Sequence, residues 1–151
     1  MLPRVERSEP HLNDEVMRMM WDRPASKVWL SLVEAGTAAD FDGLAREAGL
    51  DPLGRSWIEV DAARARRFLV AILHKDLAYK SDVMPERRAE WLADQFLSAF
   101  GRFNGRFATN SPDSPDGFPF SWTPATTYTF DAGIAVLGES GAGIYWVADE
   151  D

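Results

Sequence analysis

Residues 126–147 read TTYTFDAGIAVLGESGAGIYWV, and this stretch decides the fold class. Three runs rich in β-branched and aromatic residues, 126–130, 134–137 and 144–147, are separated by glycine, with Glu139-Ser140-Gly141-Ala142 as the turn between the last two. Such residues suit a pleated surface, so the stretch predicts an antiparallel β-meander near the end of the chain.

Upstream the periodicity is helical. Asn13 suits an N-cap for a helix that carries Asp14 and Glu15 in its first turn and Val16, Met17, Met20 and Trp21 on one face. Pro24 can open a second helix, with Ala25, Val28, Trp29, Leu32 and Val33 as its stripe and Gly36 as a left-handed cap. Thr37 and Asp40 resemble a capping box for a third, in which Phe41, Leu44, Ala45 and Ala48 are apolar and Gly49 ends the run. Residues 56–60 read as a short strand. Asp61 caps a central helix with Ala65, Phe68, Leu69 and Ile72 inward, widened by Leu73, Leu77 and Tyr79. Pro85 opens a long helix with Ala89, Leu92, Ala93, Phe96, Leu97 and Phe100 inward and Gly101 as its stop. Asn104-Gly105 is a hairpin-turn signal, and residues 110–124 form a long Ser-, Pro-, Asp- and Gly-rich loop with Phe118, Phe120 and Trp122 at alternate positions. Helices first and strands last predict an α+β fold, with N-terminal and central helices packed on a C-terminal antiparallel meander, as one domain over residues 1–151.

Composition removes several classes of chemistry. The chain has no cysteine, so disulfides, thiolate nucleophiles and sulfur-ligated zinc or iron–sulfur sites are excluded. The first ten residues are polar and unlike a secretory signal, and no run of roughly 18 apolar residues suggests a membrane span. Cytoplasmic residence is the expectation. Arginine outnumbers lysine 13 to 3, a compositional lean towards bacteria. The net charge of −8 is unevenly spread: −4 over residues 1–60, +3 over 61–109 and −7 over 110–151, where no basic residue occurs. That last quarter repels nucleic-acid backbones and attracts basic surfaces, so direct nucleic-acid binding is not expected there.

No motif carries a complete catalytic set. His74 could serve as a general base with Asp76 nearby, but residues two apart on a helix do not face each other. The wheel places His74 towards solvent and Asp76 partly inward, as a satisfied structural carboxylate. The run 138–143 is glycine-rich but lacks a lysine and leads into a strand, so it reads as a hairpin turn and not a phosphate loop. Residues 41–60 share the Ala45/Gly49 spacing of a helix-turn-helix, yet Pro52 and Gly54 would interrupt a recognition helix. Neither a cofactor nor a metal is expected, and no catalytic residue is assigned. A small enzyme would require His74, Asp76 or Asp131 to converge in a pocket.

The remaining candidates are Asp113, Asp116, Trp122, Asp131, Glu139, Asp149, Glu150 and Asp151, a set that would bind a basic protein partner. Residues 129–134 (TFDAGI) followed by 143–151 (GIYWVADED) resemble the C-terminal hairpin of small uncharacterised bacterial proteins of the polymorphic-toxin immunity type, over about thirty residues. The resemblance implies an inhibitor that occludes the active site of a cognate toxin without chemistry of its own. Where that site is basic, complementary carboxylates would speed association and set specificity.

Overall fold

The β-rich end of the chain is the spine onto which everything else folds. The computed structural model describes residues 10–100, 105–117 and 120–150. Among these, the elements run α1 (Asp14–Trp21), β1 (Lys27–Val33), α2 (Phe41–Ala48), a 3₁₀ turn (Gly54–Ser56), β2 (Ile58–Val60), α3 (Ala62–His74), α4 (Glu86–Ser98), β3 (Arg106–Thr109), β4 (Phe130–Gly138) and β5 (Gly141–Asp149). The strands form one antiparallel sheet in the order β1-β5-β4-β3-β2. The fold is α+β, with helices gathered on a sheet whose centre is the C-terminal hairpin.

Both faces of the sheet are covered, which is why β5 is buried along its whole length. Tyr145 and Val147 face a core built with α1, α3 and α4, where Leu69, Ile72, Leu92 and Phe96 are fully enclosed. Ile144, Trp146 and Ala148 face a second core with α2, Leu50, Leu53 and Trp29. Two glycines make this packing possible. A Cβ on Gly133 would lie 2.2 Å from the Trp146 ring, and one on Gly143 would lie 2.3 Å from the Phe100 ring. Both distances are far inside van der Waals contact, so larger residues would have to displace the aromatic rings.

Helix ends follow the capping chemistry written in the chain. Asn13 accepts from the Glu15 amide at 2.8 Å, Asp61 accepts from the Arg64 amide at 2.8 Å, and Gly49 closes α2 at φ 85°. Three expectations are corrected. Asp40, not Thr37, is the N-cap of α2, accepting from the Gly43 amide. Trp21 lies 45% exposed instead of facing inward. α3 ends at His74, because the Asp76 carboxylate captures the amides of Tyr79 and Ser81 and bends the chain. Leu77 is still buried, whereas Tyr79 is 66% exposed.

The largest correction concerns residues 25–35. The predicted helix is strand β1, paired from Lys27↔Ala148 to Val33↔Ala142 with β5. Val28, Leu30 and Leu32 pack on one core, while Trp29 and Val33 pack on the other. That is a period of two, and the helical stripe omitted Leu30, which is 9% exposed. Gly36 does adopt φ 86°, but in a turn closed by the Thr37 amide on the Glu34 carbonyl. The meander is also one strand shorter than expected. Of residues 126–130 only Phe130 is in a strand, since Thr126 is drawn to the Asp131 carboxylate, Tyr128 donates back to the Thr126 hydroxyl and Thr129 is held by Glu150. The predicted stop at Gly101, the Asn104 turn position, Phe118 and Asp151 lie outside the described residues.

Candidate functional site

The connection from β3 to β4 is long and, among its described residues, has no regular secondary structure, yet it is tied down at many points. Its inner anchor is Asp131, which β4 points into the interior with no exposed surface. The carboxylate accepts from the Asn110 amide at 3.1 Å, the Ala125 amide at 3.1 and 3.2 Å, and the Thr126 amide at 3.2 Å. The Thr126 hydroxyl at 2.8 Å and the Trp146 indole N–H at 3.0 Å complete the shell. A buried carboxylate is tolerable only when its lone pairs are filled in this way. Asp131 thereby fixes both ends of the loop to the spine of the sheet.

The outer part has its own ties. The Ser111 hydroxyl donates to the Ser121 carbonyl and accepts from the Asp113 amide, so the two sides of the loop are stitched together. Asp113 accepts from both the amide and the hydroxyl of Ser121 at 2.8 Å. Those two bonds, the amide first, hold its carboxyl below the usual carboxylate range, with a contribution from Arg64. Arg64 of α3 donates to the Pro112 carbonyl. Lys80 donates to the Leu77 and Pro115 carbonyls at 3.0 and 2.7 Å and stands 5.0 Å from the centre of the Phe120 ring. Its backbone adopts φ 58°, and burial pushes its ammonium below the usual lysine range against the pull of Asp76, Asp116 and Asp149. Trp122 stacks on Phe120 at 5.1 Å and meets Phe130 at 5.3 Å.

The eight residues proposed from the sequence therefore separate. Asp113, Asp116 and Trp122 share the loop, with Asp116 exposed and bonded to the Ser114 hydroxyl. Glu150 is exposed at the same end of the hairpin and accepts from the amide and hydroxyl of Thr129. Glu139 is exposed in the β4–β5 turn, at the opposite end of β4, so about 27 Å of strand separates it from the loop. Two assignments to a partner surface are corrected. Asp131 is fully buried, and Asp149 is 5% exposed, bonded to the Arg23 guanidinium at 3.0 and 3.2 Å and to the Leu77 amide at 2.8 Å. The remaining candidate, Asp151, lies outside the described residues.

A cavity of about 390 Å³ forms a groove between α3, α4 and the loop, with Arg66, Arg67, His74, Lys75, Glu86 and Asp116 on its walls. His74 is half-enclosed there instead of exposed: its Nδ1 donates to the Met84 carbonyl at 2.7 Å, which leaves Nε2 at 3.5 Å from Asp82. Asp76 is engaged by turn amides and Asp131 by the loop anchor, so these two do not join His74. The second half of the helix-turn-helix-like segment is the 3₁₀ turn and β2. Among the described residues no group of three His, Asp or Glu side chains could hold a metal ion.

No family model matches the chain, and no curated protein or solved structure is significantly similar to it. Among the described residues no helix is long and apolar enough to cross a membrane. The site is thus defined by its own geometry: a pinned acidic loop with an aromatic stack. Sequence reasoning missed Arg23, Lys80, Asn110 and Ser121, which hold it or its supports, because each acts across a separation that no local pattern records.

Proposed function

We propose that this chain is a non-catalytic, cytoplasmic protein-binding protein that inhibits a basic partner, in the manner of an immunity protein acting on its cognate toxin. The supporting observation is the tethering of the described loop residues, 110–117 and 120–126, before any partner arrives. A loop already held by Asp131, Ser111, Arg64 and Lys80 loses little further entropy on binding. Asp113 and Asp116 supply negative charge beside the aromatic pair Phe120 and Trp122, a combination that joins electrostatic steering to a rigid anchor. The resemblance of the C-terminal hairpin to immunity-type proteins points the same way.

The test begins with recovery of the partner by the tagged protein from native lysate at low salt. Association is then followed with the purified pair. Asp113→Asn with Asp116→Asn should slow association several-fold and flatten its salt dependence, whereas Glu139→Gln, at the far end of the hairpin, should change neither. Equal rates for the loop variant and the parent would refute the assignment of the surface.

A further inference from the structure

We infer that the outer edge of β1 is a self-recognition surface, where a second copy of this chain adds its own β1 antiparallel and makes one continuous sheet. The order β1-β5-β4-β3-β2 leaves two edges, and they differ. β2 is three residues long and carries Glu59, ion-paired with Arg106 of β3 at 2.7 Å. Short strands and charged side chains are among the devices that keep an edge from pairing with another chain. β1 has neither along most of its length. It runs for seven residues, and from Val28 to Val33 it holds no charge, proline or glycine and pairs with β5 without a bulge.

In such a ladder the N–H and C=O groups of alternate residues point away from the paired strand. Among the described residues, the backbone of residues 28–33 makes no hydrogen bond beyond the β5 ladder. Lys27 is exposed, and Val28, Ser31, Leu32 and Val33 are half-buried. Trp29 and Leu30 are enclosed by layers on the two faces of the sheet. Trp29 meets the Tyr128 ring at 6.0 Å and the Lys27 ammonium at 5.1 Å, and Leu30 shares its core with Val16 and Met20 of α1.

The strand fits a second copy in one register. A two-fold axis perpendicular to the sheet can pair residues only when their side chains lie on the same face. Centring the axis on Leu30, the middle of β1, pairs all seven residues, and any other centre pairs fewer. Leu30 then faces Leu30 of the second copy, and Val28 faces Leu32. Trp29 faces Ser31, so the largest side chain on its face meets the smallest. Charge agrees with this direction. Lys27, the single charged residue of β1, falls at opposite ends of the ladder in the two copies, each at the end from which Glu34 of the other copy follows. A parallel pairing would set the two Lys27 ammonium groups side by side. The contact is isologous and closes at two molecules. A single strand pair is small beside the roughly 1,600 Å² of a standard interface, so the dimer should dissociate on dilution.

The experiment is sedimentation velocity of the purified chain from dilute to near-millimolar concentration, with amide hydrogen exchange in β1 followed at both extremes. The mass should rise from 16.9 kDa towards twice that value, and the β1 amides that point away from β5 should exchange at least tenfold more slowly in the concentrated sample. Ser31→Lys places two cations diagonally across the two-fold axis and should weaken association at least tenfold, with the dilute protein still folded by circular dichroism. Because the chain has no cysteine, Leu30→Cys and Ser31→Cys read the register directly. Oxidation should link two copies through position 30 and much more slowly through position 31. A chain that stays monomeric throughout, a dimer that Ser31→Lys leaves as tight, or equal cross-linking at the two positions would overturn the proposal. Full protection of the outward amides in the dilute monomer would also overturn it, by assigning the edge to another segment of the same chain. None of these outcomes bears on the inhibitor reading, since β5 separates β1 from β3 and β4, the strands that carry the acidic loop.

Discussion

Asp113 and Asp131 flank the same loop and have the same side chain, but they stand in opposite relations to water. Asp131 is sealed in and saturated by donors from both ends of the loop and from Trp146, so its work is structural. Asp113 sits near the surface and is held in place by Ser121. Asp149 belongs with the first and Asp116 with the second. The difference shows that an excess of acidic residues in one quarter of a chain is not the same thing as an acidic surface. Part of that charge is met by residues far away in sequence: Arg23 pairs with Asp149, and Arg64 and Lys80 lie close enough to attract Asp113 and Asp116.

The sharpest way to break this division is to attack the buried pair. Arg23 is fully enclosed, and besides Asp149 it donates to the carbonyls of Ile72, Pro24 and Lys75. Arg23→Ala or Asp149→Ala leaves the other charge buried and unpaired, and should cost about 3–5 kcal/mol in chemical denaturation. Asp131→Asn comes next. It removes the charge and, in either orientation, turns an amide N–H₂ towards N–H donors, for a loss of roughly 3 kcal/mol. Limited proteolysis should then cut within residues 110–117 or 120–126 faster than in the parent. If Asp131→Asn were as stable as Asp113→Asn, the division between structural and available carboxylates would collapse.

A smaller effect depends on pH. Asp42 accepts from the Trp57 indole at 2.7 Å and the Gly54 amide at 3.0 Å, and the indole bond is the main cause that holds its carboxyl below the usual range, with Arg46 also contributing. A depressed folded-state value means that the stabilisation is complete above the ordinary carboxylate range and disappears as pH falls through the folded value. Asp42→Asn should therefore cost about 1 kcal/mol at neutral pH, with the gap to the parent closing on acidification. A gap that widened in acid would reverse the sign and contradict the hydrogen-bond assignment.

The smallest expected change is at the surface. Asp113→Asn and Asp116→Asn should leave the thermal midpoint where it is, because the amide oxygen at position 113 can still accept from Ser121. Their effect should appear in association with a basic partner alone. A marked drop in midpoint would move Asp113 into the structural group.

Much of the fold was legible in the chain because its signals are local. Asn13 and Asp61 announce their helices through bonds to amides two or three residues away, Gly49 marks its stop, and the inward residues of α4 recur at spacings of three and four. Residues 25–35 were misread because their central run of seven, Lys27–Val33, has enough apolar side chains to satisfy both periods. Asp131 and Asp149 were misplaced for a related reason: the alternation of a strand says which side chains turn inward only once the covering layers are known.

What the sequence determined by itself, then, is the α+β class, most of the helix caps, the absence of thiol chemistry, and the long loop that precedes the hairpin. Each depends on contacts within a few residues or on composition. Only the tertiary structure decided that residues 27–33 form a strand, that Arg23 meets Asp149, and that Asp131 of β4 is buried while Asp113 and Asp116 of the loop stay at or near the surface. Those outcomes depend on which partner the folded chain brings across the sheet, and burial takes its sign and its cost from that partner.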